Sequence, residues 1–255
     1  MLNLVLSDIH ANFPALEAVL WDAVPWNVDR VICLGDMVGY GPFPKEVLRK
    51  LRAIEAECIL GNHDIALLGL SSGKRPKSMR ESLIRALAWQ LDHLSPEDLQ
   101  WLTQLPTKKA YGSQPGDRFL CSHGSPRSSV TYVDTVAVAK EEFVAWDGQL
   151  CFIGHTHLPA YFSSGLGPSG NWVTMQAIRD ARFSLELNLD HRYLINSGSV
   201  GQPRDNDPRA AYGLYDDQTR VFRLCRVEYD VSETVKAIRK AGLDDVSAVR
   251  LTIGQ

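Results

Sequence analysis

The sequence lacks a strong excess of either charge. Its 255 residues include 27 lysines and arginines against 30 aspartates and glutamates, which gives a net charge of −3 at pH 7. Proteins dedicated to duplex DNA or RNA normally carry a basic face that neutralises the phosphates. The balance therefore argues against nucleic acid as a partner. It leaves a small phosphorylated substrate open, because metal ions can supply positive charge locally.

Long hydrophobic runs and a cysteine framework are also missing. No stretch approaches the ~20 apolar residues that span a bilayer, and no basic leader follows Met1. The five cysteines are odd in number and lie mostly inside apolar, strand-like runs, where cysteine acts as a small buried hydrophobe. We therefore expect a cytoplasmic protein with unpaired cysteines and no membrane partner.

The first sixty residues alternate strand and helix signals. Residues 2–6, 29–34 and 57–60 are short apolar runs typical of buried strands. Asn12 is placed to cap a helix with proline in its first turn, and residues 44–54 have a second helical pattern. This β-α-β-α-β order predicts a parallel sheet with right-handed crossovers.

The pattern changes in the middle of the chain. Residues 65–106 carry apolar side chains at helical spacing, which predicts a helical insert or cap within a single domain of residues 1–255. The chain is then rich in strand signals and ends in a predicted helix, and the close spacing of the strands predicts a largely antiparallel second sheet. We expect an α/β fold of two sheets packed face to face with helices outside. The later strands are predicted at 119–122, 150–153, 172–177, 183–187, 193–195, 211–215 and 221–227.

Side chains of metal-ligand type follow five consecutive predicted strands. In open α/β sheets, functional sites assemble at the carboxyl ends of the strands. Each motif alone could be a turn, a helix start or a packed histidine, but five in order at strand ends form a specific pattern. The motifs are Asp8-Ile9-His10, Gly35-Asp36, Gly61-Asn62-His63-Asp64, Ser122-His123-Gly124 and Gly154-His155-Thr156-His157.

The chemistry of this set predicts a pair of metal ions. It offers imidazole, carboxylate and amide oxygen without thiolate, which suits Mn, Fe or Zn and is poor for Cu(I) or an iron–sulfur cluster. Seven ligands are too many for one catalytic ion with an open position, whereas two ions sharing a carboxylate fit the count. Such a pair can clamp the attacking and leaving oxygens at phosphorus and lower the pKa of a bridging water. The candidate ligands are Asp8, His10, Asp36, Asn62, His123, His155 and His157.

The five motifs, in this order, resemble those of the calcineurin-like metallophosphoesterase superfamily. The strings at 35–42 and 196–204 are similar to a bacterial and archaeal branch related to diadenosine tetraphosphatases. The resemblance implies a four-layer α/β/β/α sandwich of two mixed sheets packed face to face, with a small helical cap. It also implies two divalent metal ions, with Mn favoured. It implies that Asp8, His10 and His157 hold the first ion, that Asn62, His123 and His155 hold the second, and that Asp36 bridges them.

Two further residues of the third motif are candidates for catalysis. The resemblance implies that His63 stabilises the phosphoryl transition state or protonates the leaving oxygen. Asp64 is its nearest candidate orienter in sequence. Asp64 could equally be an acidic residue in the first turn of a helix, and the sequence leaves both alternatives open.

Three residues are candidates for substrate contacts. Arg204 ends a glycine- and serine-rich loop that offers backbone N–H groups, and arginine binds phosphate bidentately. The alternative for Arg204 is a structural turn in which it pairs with Asp205 or Asp207. Tyr40 could stack on a base or simply pack, and Asn12 could reach the substrate or only cap its helix.

We therefore expect a metal-dependent phosphoesterase that hydrolyses a small phosphorylated substrate by attack of a metal-bridging hydroxide. The resemblance favours a nucleotide or dinucleoside polyphosphate. A general phosphodiesterase or phosphomonoesterase, or an inactive binding scaffold of the same fold, remains the alternative. Protein phosphatase activity is disfavoured, because residues 38–41 lack the Asp-Arg pair that such enzymes carry after the second motif.

Overall fold

The computed structural model describes residues 1–77, 79–113, 117–166 and 172–255, and all elements below lie within these ranges. The strands are β1 Leu2–Leu6, β2 Arg30–Cys33, β3 Glu57–Cys58, β4 Lys108–Tyr111, β5 Phe119–Ser122, β6 Leu150–Ile153, β7 Ala160–Gly165, β8 Val173–Ala177, β9 Arg182–Glu186, β10 His191–Asn196, β11 Ala210–Asp216 and β12 Val221–Val227. The α-helices are α1 Phe13–Ala23, α2 Pro44–Ala53, α3 Asn62–Ser71, α4 Glu81–His93, α5 Pro96–Thr103, α6 Val136–Ala145, α7 Val231–Lys240 and α8 Asp245–Ile253.

The described strands form two mixed sheets. The first has the order β3-β2-β1-β11-β12-β9 and the second the order β4-β5-β6-β10-β7-β8. Strands β1, β2 and β3 pair in parallel, as do β5, β6 and β10. The prediction of two mixed sheets is confirmed. The second sheet is antiparallel at three of its five strand pairings and parallel at the other two, where α6 makes a crossover between β5 and β6. The prediction that the later strands all belong to this sheet is wrong, because β9, β11 and β12 join the first sheet.

The alternating side chains of the strands place the core in separate layers. Val5 on β1 packs between the two sheets with Phe152 and Tyr215, whereas Leu4 and Leu6 on the opposite face pack under the helices. On the far side, Phe143 of α6 covers the second sheet. The order helix, sheet, sheet, helix is the predicted α/β sandwich.

Helices α3, α4 and α5 cover one end of the first sheet. Leu67, Leu87 and Leu102, one from each helix, belong to the same buried cluster as Leu6. This shared core favours the prediction that residues 65–106 are an insert within a single domain. Among the described residues, no helix has the length and apolar character needed to cross a bilayer.

Candidate metal centre and substrate cleft

The predicted ligands converge because the loops after the parallel strands turn sharply. Five of these residues have left-handed backbone conformations, with φ of 53° at Asp8, 49° at His10, 52° at Asp36, 68° at His155 and 60° at His157. Such values are uncommon outside glycine and mark functional sites when the surrounding fold enforces them. The strained backbone conformations of the folded chain therefore direct these side chains toward one point.

The first group consists of Asp8, His10 and His157. Asp8 Oδ1 lies 3.2 Å from His157 Nε2, which is 3.1 Å from His10 Nε2. A backbone carbonyl oxygen orients each imidazole through its Nδ1 atom. Nδ1 of His10 is 3.0 Å from the carbonyl oxygen of Val38, and Nδ1 of His157 is 2.5 Å from that of Gln202. The Nε2 atoms thus face one another as metal-binding imidazoles do.

The second group contains Asp36, His123 and His155, whose ligand atoms lie within 4.8 Å of one another. His123 Nε2 is 3.2 Å from Asp36 Oδ2 and 3.1 Å from Asn62 Oδ1, and its Nδ1 is 2.9 Å from the carbonyl oxygen of Leu34. A third group of potential ligand atoms within the same distance consists of His10, Asp36 and His63.

Unpaired carboxylate oxygens show that both groups fit cations. Asp8 Oδ2 accepts hydrogen bonds from Ser7 Oγ at 2.6 Å and from the His155 N–H at 3.0 Å, and Asp36 Oδ1 accepts one from the His63 N–H at 2.8 Å. The remaining oxygens, Asp8 Oδ1 and Asp36 Oδ2, are buried and accept no well-formed hydrogen bond. Each lies near imidazole nitrogens but lacks a hydrogen bond, which is costly for a buried charge, and divalent ions would satisfy both oxygens.

The protonation states also suit metal binding. Burial raises the pKa of Asp8 and Asp36, but the neighbouring histidines outweigh burial and hold both pKa values below the usual range. Burial lowers the pKa of His155 to about 4. Burial also lowers the pKa of His123, but Asp36 and Asp8 outweigh it and raise that pKa to about 9. At His123, a metal ion would therefore compete with a proton.

His63 lies beside the two groups and faces the cleft described below. Its Nε2 is 3.8 Å from Asp36 Oδ2, and its ring centroid is 4.7 Å from that of His10 and 5.0 Å from that of Tyr40. The other nitrogen, Nδ1, is buried without a hydrogen bond. It faces Gly39, where an added Cβ would come within 2.2 Å of it. Only glycine allows this close packing.

The contacts of Asp64 contradict the hypothesis that it orients His63. Its carboxylate accepts hydrogen bonds from the backbone N–H groups of Asp36 at 2.8 Å, Gly61 at 2.9 Å and Met37 at 3.0 Å. The N–H group of Val38 donates a fourth. All four bonds serve backbone groups next to the helix start and the second motif. Asp64 therefore positions the loop that carries Asp36.

Asn12 is a structural cap, and its predicted contact with substrate is wrong. Its Oδ1 accepts from the Ala15 N–H at 3.3 Å and from Thr234 Oγ1 at 2.8 Å. Its Nδ2 donates to the carbonyl oxygen of Gly201 at 2.9 Å and to the Tyr229 hydroxyl at 3.0 Å. The side chain is buried and its hydrogen-bonding groups are occupied by the protein.

Arg204 and Tyr40 meet at the mouth of the ligand groups. Arg204 Nη2 donates to the Tyr40 hydroxyl at 3.3 Å and to Gln202 Oε1 at 3.1 Å, and its Nε is buried without a partner. The predicted alternative for Arg204 is wrong, because Asp205 pairs with Arg226 and Asp207 pairs with Arg209. Among the residues that the structure describes, the guanidinium group therefore has no carboxylate partner.

The loop before Arg204 positions it but offers few free donors. The N–H groups of Val200 and Gly201 donate to the carbonyl oxygens of Ser7 and Asp8, both at 3.0 Å, and the Gln202 N–H donates to Ser199 Oγ at 2.7 Å. The expectation that this backbone binds phosphate is therefore wrong. The loop instead fixes Arg204 beside the first strand.

A cleft of about 760 Å³ opens over this region. It is lined by His63, Asn62, His155, Tyr40 and Arg204 and by residues 74–77, 79, 80, 82 and 83 of the cap. Two lining or supporting residues were missed by sequence reasoning. The ring of Tyr132 packs against that of His155 with centroids 4.0 Å apart. The side chain of Gln90 on α4 forms hydrogen bonds with the backbone of Gly39 and Gly41, on either side of Tyr40. Neither lies in a motif, so only tertiary packing identifies them.

Comparison with known sequences connects this arrangement to one family. A family model for calcineurin-like phosphoesterases matches residues 1–191. The chain is 32% identical over 251 residues to an uncharacterised protein of Methanocaldococcus jannaschii, covering 98% of this chain and 97% of that protein. It is 33% identical over 141 residues to a symmetrical bis(5′-nucleosyl)-tetraphosphatase of Delftia acidovorans. That alignment covers 53% of this chain and only 48% of that enzyme.

Solved structures give the same result for the fold. A crystal structure of a metallophosphoesterase from Sphaerobacter thermophilus is similar, with a TM-score of 0.84 and 37% identity over 100% of this chain and 99% of that chain. A hypothetical protein from Pyrococcus horikoshii has a TM-score of 0.77 at 18% identity, covering 100% of this chain and 98% of that one. The second likeness concerns the fold alone.

Proposed function

Because the chain belongs to the calcineurin-like phosphoesterase family and is a hydrolase of phosphoester bonds, we propose that its substrate is a nucleotide or dinucleoside polyphosphate. The observation that carries the proposal is the pair formed by Arg204 and Tyr40. In this pair a guanidinium group, which has no carboxylate partner in the described part of the chain, and an aromatic ring lie directly beside the ligand groups. The tetraphosphatase named above is consistent with this substrate class.

Two divalent cations, with Mn favoured, would be held at the ligand groups. When bound, they would neutralise charge on the phosphoryl oxygens and acidify a water molecule between them. The ligand carboxylates and imidazoles are already oriented by backbone carbonyls and amides, so little reorganisation is required. We propose Asp8, His10 and His157 for one ion, Asn62, His123 and His155 for the other, and Asp36 for both.

The remaining side chains bind and orient the phosphoryl group. Arg204 donates to its non-bridging oxygens, and Tyr40 holds the guanidinium group and presents its ring to the cleft. His63 donates a hydrogen bond or a proton to an oxygen of the reacting phosphate, since it lines the cleft and touches Asp36. A cleft of about 760 Å³ is of the size that encloses a small ligand, which disfavours a nucleic acid duplex.

Product analysis tests the proposal. We expect the Mn-loaded protein, given diadenosine tetraphosphate, an aryl phosphodiester and an aryl phosphomonoester together, to convert the dinucleotide first and to release two ADP for each water consumed. A preference for either aryl ester would instead identify a general phosphodiesterase or phosphomonoesterase.

Replacement of His63 by asparagine tests its role. We expect His63→Asn to retain both metals and to lose about 100-fold or more in kcat. His93→Asn is the matched control, because His93 is an exposed histidine of the cap that stacks on Trp89 outside the cleft. Loss of bound metal in His63→Asn would show that His63 is a ligand.

A further inference from the structure

The cleft is strongly basic although the whole chain is acidic. The net charge of the protein is −3, yet the cleft lining includes several cations and, among the described residues, a single carboxylate, that of Asp244. This carboxylate caps α8, accepting from the Val246 N–H at 3.1 Å. The cations are Lys74, Arg75, Lys77, Arg80, Arg204 and Arg250.

Most of these cations have no acidic partner within the described ranges. Arg75 pairs with Glu81 outside the metal site. For Lys74, Lys77, Arg80 and Arg250, the part of the chain that the structure describes contains no ion pair. Several like charges around one cleft repel one another, so their arrangement is favourable only when an anion occupies the cleft.

One helix, α3, separates the cap cations Lys74, Lys77 and Arg80 from the residues that face the metal site. Asn62 and His63 lie at the start of α3, and Lys74 follows its end at Ser71. A helix of ten residues rises about 15 Å. One phosphate at the metal centre therefore cannot also contact Lys74. The cleft lining also includes apolar residues, Ile65 and Leu83 among them.

We propose that Lys74, Lys77 and Arg80 of the cap, with Arg250 of α8, form a second anion subsite. It binds a phosphate group of the substrate that is not the one hydrolysed. The inference rests on the proposed function in that it assumes a phosphorylated substrate entering this cleft. It also predicts substrate selectivity, because substrates that carry a phosphate remote from the scissile bond gain binding energy that simple esters lack.

A charge-matched pair of triple variants tests the subsite. Lys74→Gln, Lys77→Gln and Arg80→Gln together remove three cleft cations. Lys140→Gln, Lys236→Gln and Lys240→Gln together make the same change in net charge at exposed positions outside the cleft. All six positions are exposed, so we expect both proteins to fold with unchanged Tm.

We expect the cleft variant to lower the ratio of kcat/KM for diadenosine tetraphosphate to kcat/KM for an aryl phosphodiester roughly tenfold, chiefly through KM. Its kcat/KM for the tetraphosphate should also depend less steeply on salt. The control variant should keep the wild-type ratio. An unchanged ratio in the cleft variant, or an equal fall in the control, would overturn the proposal.

Inorganic tripolyphosphate separates this inference from the proposed function. If the wild type does not hydrolyse diadenosine tetraphosphate, the proposed substrate is wrong, but tripolyphosphate should still inhibit aryl ester hydrolysis at constant free Mn. A Ki that rises roughly tenfold in the cleft variant, and not in the control, would support the subsite. Equal Ki values in all three proteins would refute it.

Discussion

Replacement of Gln90 by leucine should damage catalysis from a position that does not face the substrate. Gln90 lies on α4 and is fully buried. Its Oε1 accepts from the Gly39 N–H at 2.7 Å and its Nε2 donates to the carbonyl oxygen of Gly41 at 2.6 Å. Tyr40 lies between these two bonds, so the cap holds the loop that presents the tyrosine ring to His63.

The magnitude follows from the two lost hydrogen bonds. Leucine fills a similar volume but leaves a buried donor at Gly39 and a buried acceptor at Gly41. Each unsatisfied group costs about 1–3 kcal/mol, so together they cost about 2–6 kcal/mol unless the loop moves toward water. Movement of the loop shifts Tyr40, and through its hydroxyl Arg204, from its present position. A displacement of about 1 Å at a substrate-positioning group can lower kcat/KM about 100-fold.

The assay combines aryl phosphodiester kinetics, bound-metal analysis and urea unfolding. We expect Gln90→Leu to keep its metals and to lose kcat/KM. Asp98→Asn is the control, since Asp98 is also buried in the cap but bonds Ser95 and Arg52 away from the loop. It should lose stability while keeping near-wild-type kinetics. If Gln90→Leu loses stability alone, as the control does, the positioning role is refuted.

Two further perturbations test the electrostatics of the fold. Chelation of bound metal should lower Tm by about 5–10 °C, because it leaves the metal-facing carboxylate oxygens buried without a partner; identical melting with and without chelator would contradict a metal site there. Arg209→Gln should destabilise the protein by about 0.5–1 kcal/mol at pH 7, because hydrogen bonds from Arg209 hold the pKa of Asp207 below its ordinary 3.8. A depressed pKa stabilises the fold above pH 3.8 and the effect is lost as pH falls through the lower folded value. Urea unfolding at pH 7 and pH 3 should therefore show a smaller difference at pH 3, and a constant difference would refute the assignment.

The sequence predicted where the candidate ligands would gather, because parallel strands end at a common edge. Asp8 and Asp36 follow β1 and β2 at one edge of the first sheet, whereas His123 follows β5 of the second sheet. The packing of the two sheets brings the three side chains within hydrogen-bonding or near-contact distance. The two alternatives for Asp64 could not be separated, since both place it next to His63 in sequence. Only its four contacts with backbone amides distinguish them.

Elements that were missed depart from simple patterns for physical reasons. β4 is an edge strand, and its two lysines suppress the apolar alternation that marks a strand. β7 is an interior strand built partly of small polar residues, Ser163 and Ser164, which the sheet nevertheless buries. Helix α6 begins with alternating valine and alanine, which imitates a strand over its first turn.

The net charge of −3 averages over the whole chain and conceals a local excess of cations at the cleft. Four cations fall within residues 74–80, and the surrounding acids cancel them in the total. In the folded chain, all four of these cations line the cleft. Local charge on one surface, rather than net charge, determines which anions a small site attracts.

The left-handed backbone of the ligand loops sets a condition on any attempt to transplant this centre. Five strained residues at about 1 kcal/mol each approach the entire net stability of an ordinary domain, which is about 5–15 kcal/mol. A host protein engineered to carry the same loops would need a double-sheet core of comparable strength before any ligand was introduced. Laboratory evolution of the native chain faces the same order of events, with stabilising changes in the sheets preceding tolerated changes in the loops.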